Sequence, residues 1–64
     1  MNEYEIYLSN ATVQIKAELY TDVPNAYHTD TGRITGYSTI RFHINGNVIA
    51  EFSKKYVQGI VKLN

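Results

Sequence analysis

Ile40, Phe42 and Ile44 alternate with Thr39, Arg41 and His43 along one stretch of the chain. A period of two sends the apolar set to one face of a β-strand. Asn45-Gly46 follows, and both residue types tolerate positive φ, so the chain turns there. Beyond the turn, Val48, Ala50 and Phe52 alternate with Ile49 and Glu51. The pattern predicts a β-hairpin over residues 34–52, around which the rest of the chain packs. A two-residue Asn45-Gly46 loop pairs Ile44 with Asn47 and Ile40 with Glu51, which draws Asn47 and Glu51 toward the core. A three-residue loop, Ile44-Asn45-Gly46, instead pairs Phe42 with Val48 and Ile40 with Ala50, and is preferred. A shift that pairs Ile44 with Val48 keeps the same faces and stays open.

Earlier in the chain, Tyr4, Ile6 and Leu8 alternate with Glu5 and Tyr7, which predicts a first strand over residues 3–8. Ser9-Asn10 is a turn signal. From Thr12 to Tyr20, Val13, Ile15, Ala17 and Leu19 share one face, opposite Thr12, Gln14, Lys16, Glu18 and Tyr20. This is a second strand with one buried and one wet face; on a helix the same apolar residues would scatter. Thr21 to Arg33 spans 13 residues rich in Thr, Asp, Asn, Pro and Gly, with no sustained period. It reads as a long loop, entered through Pro24 and closed by Gly32, and long loops in small domains tend to carry function. After the hairpin, Ser53-Lys54-Lys55-Tyr56 predicts a single 3₁₀ turn. Val57, Gly59, Val61 and Leu63 then alternate with Gln58, Ile60 and Lys62 in a fifth strand, with Gly59 marking a bend or a close approach.

The fold class that follows is all-β: five antiparallel strands in a meander or small barrel, forming a single domain over residues 1–64. The predicted core is Ile6, Leu8, Val13, Ile15, Leu19, Ile40, Phe42, Val48, Phe52, Val61 and Leu63. A chain of 64 residues buries only about 60% of its unfolded surface. It has no cysteine to staple it, so self-association, as a homodimer or higher oligomer using Tyr7 and Ile49, is an expected source of further stability. Six basic and six acidic residues balance to zero net charge, which argues against broad electrostatic binding of nucleic acid. No run is apolar and long enough to span a membrane, and the N-terminus lacks the pattern of a signal peptide. The expected location is the cytoplasm.

Catalytic and metal chemistry find little footing. Ser38 and Ser53 lack a recognisable activating base. Asp22 and Asp30 share a polar segment with no evident apolar pocket to raise a pKa. His28 and His43, even joined to those aspartates, match no metal-ligand spacing. No catalytic residue, metal or cofactor is therefore assigned. The chain carries six tyrosines. Tyr suits half-buried strands, and it is also enriched at protein interfaces. Tyr20, Tyr27, His28, Tyr37 and Arg41 are the candidate partner-binding residues, centred on the 21–33 segment and the outer face of the third strand. An alternative set, Arg41, His43, Lys54 and Lys55, would serve a nucleotide or nucleic acid.

Two resemblances add to this reading. Phe52-Ser53-Lys54-Lys55-Tyr56-Val57 with Ile60-Val61-Lys62-Leu63, about the last third of the chain, resembles the end of an SH3-like barrel, where a hairpin, one 3₁₀ turn and a closing strand follow in order. The acidic loop and Trp that peptide-binding SH3 domains use for proline-rich ligands are missing, so that activity is not implied. The layout of Tyr4-Glu5-Ile6, Thr12-Val13-Gln14-Ile15-Lys16-Ala17, Val48-Ile49-Ala50-Glu51-Phe52 and a Val-rich final strand is similar to small all-β proteins of phages and mobile elements. Those with known roles include stoichiometric inhibitors of host defence, anti-CRISPR proteins among them, and sponges for signalling nucleotides. The resemblance implies a non-enzymatic protein that binds a host protein in the host cytoplasm, or alternatively a nucleotide-sequestering or nucleic-acid-binding barrel. It transfers no functional residue.

Overall fold

A computed structural model describes the backbone of residues 1–30 and 33–64, and the side chains of residues 1–24 and 38–64. Six strands follow in order: β1 (Asn2–Leu8), β2 (Thr12–Ala17), β3 (Leu19–Asp30), β4 (Arg33–Ile44), β5 (Asn47–Ser53) and, after a 3₁₀ turn at Lys54–Tyr56, β6 (Val57–Lys62). They form two three-stranded antiparallel sheets, ordered β2-β1-β6 and β3-β4-β5. The all-β class, the 3₁₀ turn and the closing strand are as the sequence predicts, and the connectivity is compatible with a small SH3-like barrel.

The second predicted strand is two strands bent at a corner. Glu18 ties that corner to both sheets. Its N–H donates to the His43 carbonyl at 2.9 Å, and its own carbonyl accepts from Asn2 Nδ2 at 2.9 Å. Its carboxylate accepts the Asn45 N–H at the hairpin tip. Such a corner lets one strand serve both sheets, and it inverts the alternation. Ala17 is buried, whereas Leu19, the next residue of the predicted apolar face, is 49% exposed. Tyr20, read as outward, instead sets its ring 5.4 Å from Tyr4 and 5.6 Å from Phe42.

Two β-bulges act in the same way. In the hairpin, Ile44 pairs with Asn47 across a two-residue loop, and His43 with Val48; Ile49 is then extra, and Phe42 pairs with Ala50 and Ile40 with Phe52. The preferred three-residue loop is therefore incorrect: the bulge restores the apolar faces that a plain two-residue loop would have lost. Val48 ends up on the wet face, 50% exposed. In β6, Leu8 pairs with Val57 but Tyr7 with Gly59, which leaves Gln58 extra. Val57 and Ile60 therefore face the core, while Val61 and Leu63 are 45% and 48% exposed. These exposures overturn four predicted core positions: Leu19, Val48, Val61 and Leu63.

The core that remains lies between the sheets. Tyr4, Ile6, Ala17, Ile40 and Phe42 are buried, with Leu8, Ile15, Phe52, Val57 and Ile60 packed against them. Phe42 is at its centre, within 6.0 Å of the Phe52 ring and 5.5 Å of Tyr4. At the hairpin tip, Asn45 and Gly46 take φ of 52° and 76°, the left-handed pair of a type I′ turn. Gly46→Ala is expected to cost about 1 kcal/mol, because a Cβ disfavours that φ although nothing crowds it. Thermal unfolding followed by circular dichroism checks this.

Residues 21–30, read as most of a long loop, are strand. β3 continues to Asp30 and β4 begins at Arg33. Pairing runs from Leu19↔His43 to Val23↔Thr39, shifts, and resumes from Ala26↔Tyr37 to Asp30↔Arg33. At the shift, Pro24 and Asn25 stand against Ser38. A bulge on an edge strand is where a proline, which has no N–H to offer, is accommodated. The predicted closing role of Gly32 lies outside the described residues.

Candidate binding arm and barrel surface

β5 pairs with β4 only from Thr39 to Ile44. Beyond Thr39, β3 and β4 continue as a two-stranded ribbon with no third strand among the described residues. Strands of 12 residues reach about 40 Å at roughly 3.3 Å per residue. The molecule is 40 Å long, with a radius of gyration of 12.4 Å, against about 10.7 Å for a compact domain of this size. The ribbon is an arm projecting from the two-sheet body.

This geometry divides the predicted binding set. The backbone pairs Ala26 with Tyr37, Tyr27 with Gly36 and His28 with Thr35, so Tyr27, His28 and Tyr37 stand on three successive rungs of the arm. Their side chains lie outside the described residues. Tyr20 and Arg41 belong to the arm's base. Tyr20 pairs with Phe42 and Arg41 with Thr21, which puts the two on opposite faces of the sheet. Tyr20 lies six residues before Ala26, about 20 Å along the strand, so the five residues form two groups.

At the base, the outer face of β3-β4-β5 is a network of paired polar groups. Arg41 Nε donates to Glu51 Oε2 at 2.5 Å, and the Thr39 hydroxyl donates to the same oxygen at 3.0 Å. Thr39 is fully buried, so this bond satisfies a hydroxyl that has no access to water. His43 Nε2 lies 2.8 Å from the Thr21 hydroxyl. The register sets Leu19, His43 and Val48 side by side, so two exposed aliphatic side chains flank the imidazole. Alternation read straight through the corner and the bulge hides this surface; the fact that both residues sit just beyond an irregularity is its signal.

The alternative residues are spread out and already engaged. Lys54 Nζ lies 2.6 Å from Asp22 Oδ2, joining the 3₁₀ turn to β3 at the mouth of a pocket that Tyr20 and β6 also line. Lys55 Nζ sits 5.0 Å from the centre of the Tyr56 ring. Arg41 and His43 lie in the middle of β4, with the partners just named. A second groove, about 440 Å³, runs between the β1–β2 turn and the 3₁₀ turn over Leu8, Phe52 and Tyr56. Ser9 pins its two walls together by donating its N–H to the Tyr56 carbonyl at 3.0 Å. Among the described residues, no three His, Cys, Asp or Glu side chains gather as a metal site, and no helix is long and apolar enough to cross a membrane.

On the outer face of β1, the Tyr7 hydroxyl donates to Glu5, and Gln14 Nε2 donates to the other carboxylate oxygen at 3.1 Å. The Tyr7 bond, then the Gln14 bond, hold the Glu5 carboxyl below its usual range, and the same contact raises the Tyr7 phenol. A depressed carboxyl stabilises the fold above its unfolded pKa, and that contribution is lost as pH falls through the folded value. Tyr7→Phe is expected to return Glu5 toward the ordinary range, read by an NMR titration of its side chain.

The class defined by these features is an all-β two-sheet domain carrying a two-stranded arm. Compared with known protein families, curated proteins and solved structures, the chain gives no match.

Proposed function

We propose that this chain is a non-enzymatic binding protein that acts by stoichiometric capture of another protein, with the arm as its principal contact. One observation carries the reading: from Ala26↔Tyr37 to Asp30↔Arg33 the arm's two strands pair with each other and, among the described residues, with no third strand. A two-stranded ribbon is marginal alone in water, and its free edges offer main-chain donors and acceptors to a partner strand. The arm also concentrates Tyr27, His28 and Tyr37, residue types suited to an interface. The likeness in size and strand layout to phage proteins supports a finer version of the same reading, an anti-CRISPR-like inhibitor of a host defence protein acting in the host cytoplasm.

Native mass spectrometry of the chain purified from its own host tests this. The expected species contains the chain and one host protein in fixed ratio, and it persists as salt rises. A small mass increment matching a nucleotide, or association with nucleic acid that weakens steeply with salt, would overturn the reading in favour of the nucleotide or nucleic-acid alternative.

A further inference from the structure

Below the arm, whose own edges are free, the two sheets leave four edges, and three of them are blunted. β2 carries Lys16 and runs into the Glu18 corner. β3 has Pro24 and a bulge, and β5 has a bulge at Ile49. Such features are how sheets avoid pairing with other chains. The fourth edge, β6, has its bulge at Gln58 and a lysine at Lys62, but beyond that bulge the strand is regular: Gly59 pairs with Tyr7, Ile60 with Ile6, Val61 with Glu5 and Lys62 with Tyr4. Leu63 extends the ladder by donating its N–H to the Glu3 carbonyl at 2.7 Å. Main-chain groups alternate in direction along a strand. Since Leu63 points at β1, so do Val61 and Gly59, and Ile60 and Lys62 turn their N–H and C=O toward the open edge. Along the same edge, Val61, Leu63 and the neighbouring Tyr7 are exposed.

We propose that a second copy of this chain docks antiparallel along β6, with the two-fold axis at Val61. Ile60 of each copy then exchanges main-chain hydrogen bonds with the partner's Lys62. Val61 meets the partner's Val61 as a close, non-hydrogen-bonded pair. Leu63 lies opposite the partner's Gly59, where no side chain stands and a Cβ would come within 3.9 Å of the Tyr7 ring. The run Gly59-Ile60-Val61-Lys62-Leu63 fits its own reverse: largest against smallest, Val on Val, Lys on Ile with no like charges opposed. This self-complementarity is what an isologous two-fold contact requires and what an unrelated partner does not. Zero net charge removes long-range repulsion between copies. The two three-stranded sheets containing β1 merge into one continuous sheet across the axis. The proposal is independent of the arm.

Sedimentation equilibrium of the full chain, from micromolar to near-millimolar, is expected to show a monomer passing into a dimer. Because the chain has no cysteine, Val61→Cys gives a clean cross-linking probe. A non-hydrogen-bonded pair sets Cα atoms about 4.5 Å apart, inside the disulfide range of about 4.4–6.8 Å. Under mild oxidation, Val61→Cys is expected to form covalent dimer about tenfold faster than the equally exposed Val48→Cys. Lys62→Pro removes only an outward N–H, and is expected to weaken the dimer about tenfold or more while leaving the circular dichroism unchanged. A concentration-independent monomer overturns the proposal. So does cross-linking of Val61→Cys no faster than that of Val48→Cys, or a dimer indifferent to Lys62→Pro in a folded protein.

Discussion

Phe42→Ala is expected to be the most destabilising single truncation in the core, removing about 3–5 kcal/mol. The side chain is fully buried and, among the described residues, is the one aromatic in contact with Tyr4, Tyr20 and Phe52 together. Those rings come from β1, β3 and β5, so Phe42 joins both sheets and the corner between them. Truncating a buried Phe costs about 3–5 kcal/mol, because transfer free energy is lost and a cavity remains. A domain of this length has roughly 3–10 kcal/mol in total, so the substitution removes much of it. Tm should fall by more than about 15 °C. Val48→Ala, at a residue of the same predicted apolar face, should change stability by less than about 0.5 kcal/mol, as exposed positions do. Urea unfolding of the two variants side by side measures both.

That contrast also marks where the sequence stops being informative. Alternation identified most strands and placed Ile6, Ile40 and Phe42 inside. Asn45-Gly46 marked the tip, and the polar run before Val57 marked the 3₁₀ turn. The failures share one cause. Val13, Ile15, Ala17 and Leu19 keep an unbroken period of two through Glu18, yet the chain changes sheets there: Leu19 turns out, while Tyr20, still 42% exposed, lays its ring on Tyr4 and Phe42. Nothing local announces it: Glu18 is neither glycine nor proline, and its corner is held by His43, Asn45 and Asn2, all distant in sequence. Ile49 and Gln58 invert the pattern in the same manner. The alternation puts Thr39 on the wet face, yet it is buried, with its hydroxyl donating to Glu51 on the next strand.

The arm was half legible. Its composition of Thr, Asp, Asn and Pro suggested a loop, and its importance was inferred from that length and polarity. The polar residues instead pair as strands, rung by rung from Ala26↔Tyr37. Strand propensity is mostly a matter of neighbours, and those neighbours lie on the second limb of the same hairpin. Tyr27, His28 and Tyr37 were grouped with Tyr20 and Arg41 by residue type, but the bulge at Pro24-Asn25 separates arm from base.

Shortening the arm is therefore the most informative change to function. The variant joins Val23 to Thr39, which are paired in the parent, through an Asn-Gly turn, which suits a two-residue hairpin loop. Among the described residues, the buried cluster Tyr4, Ile6, Ala17, Ile40 and Phe42 is built on β1, β2 and the base of β4, and the shortened chain is expected to keep its fold. Binding that depends on the arm's edges and tyrosines should fall by more than about a hundredfold, as when a hot spot is removed. The decisive measurement is native mass spectrometry of full and shortened chains purified in parallel from the host, with circular dichroism of each. The account predicts one host protein held by the full chain and none by the shortened, folded one. A shortened chain that still retains the same protein at the same ratio would contradict it, and would move the contact to the barrel.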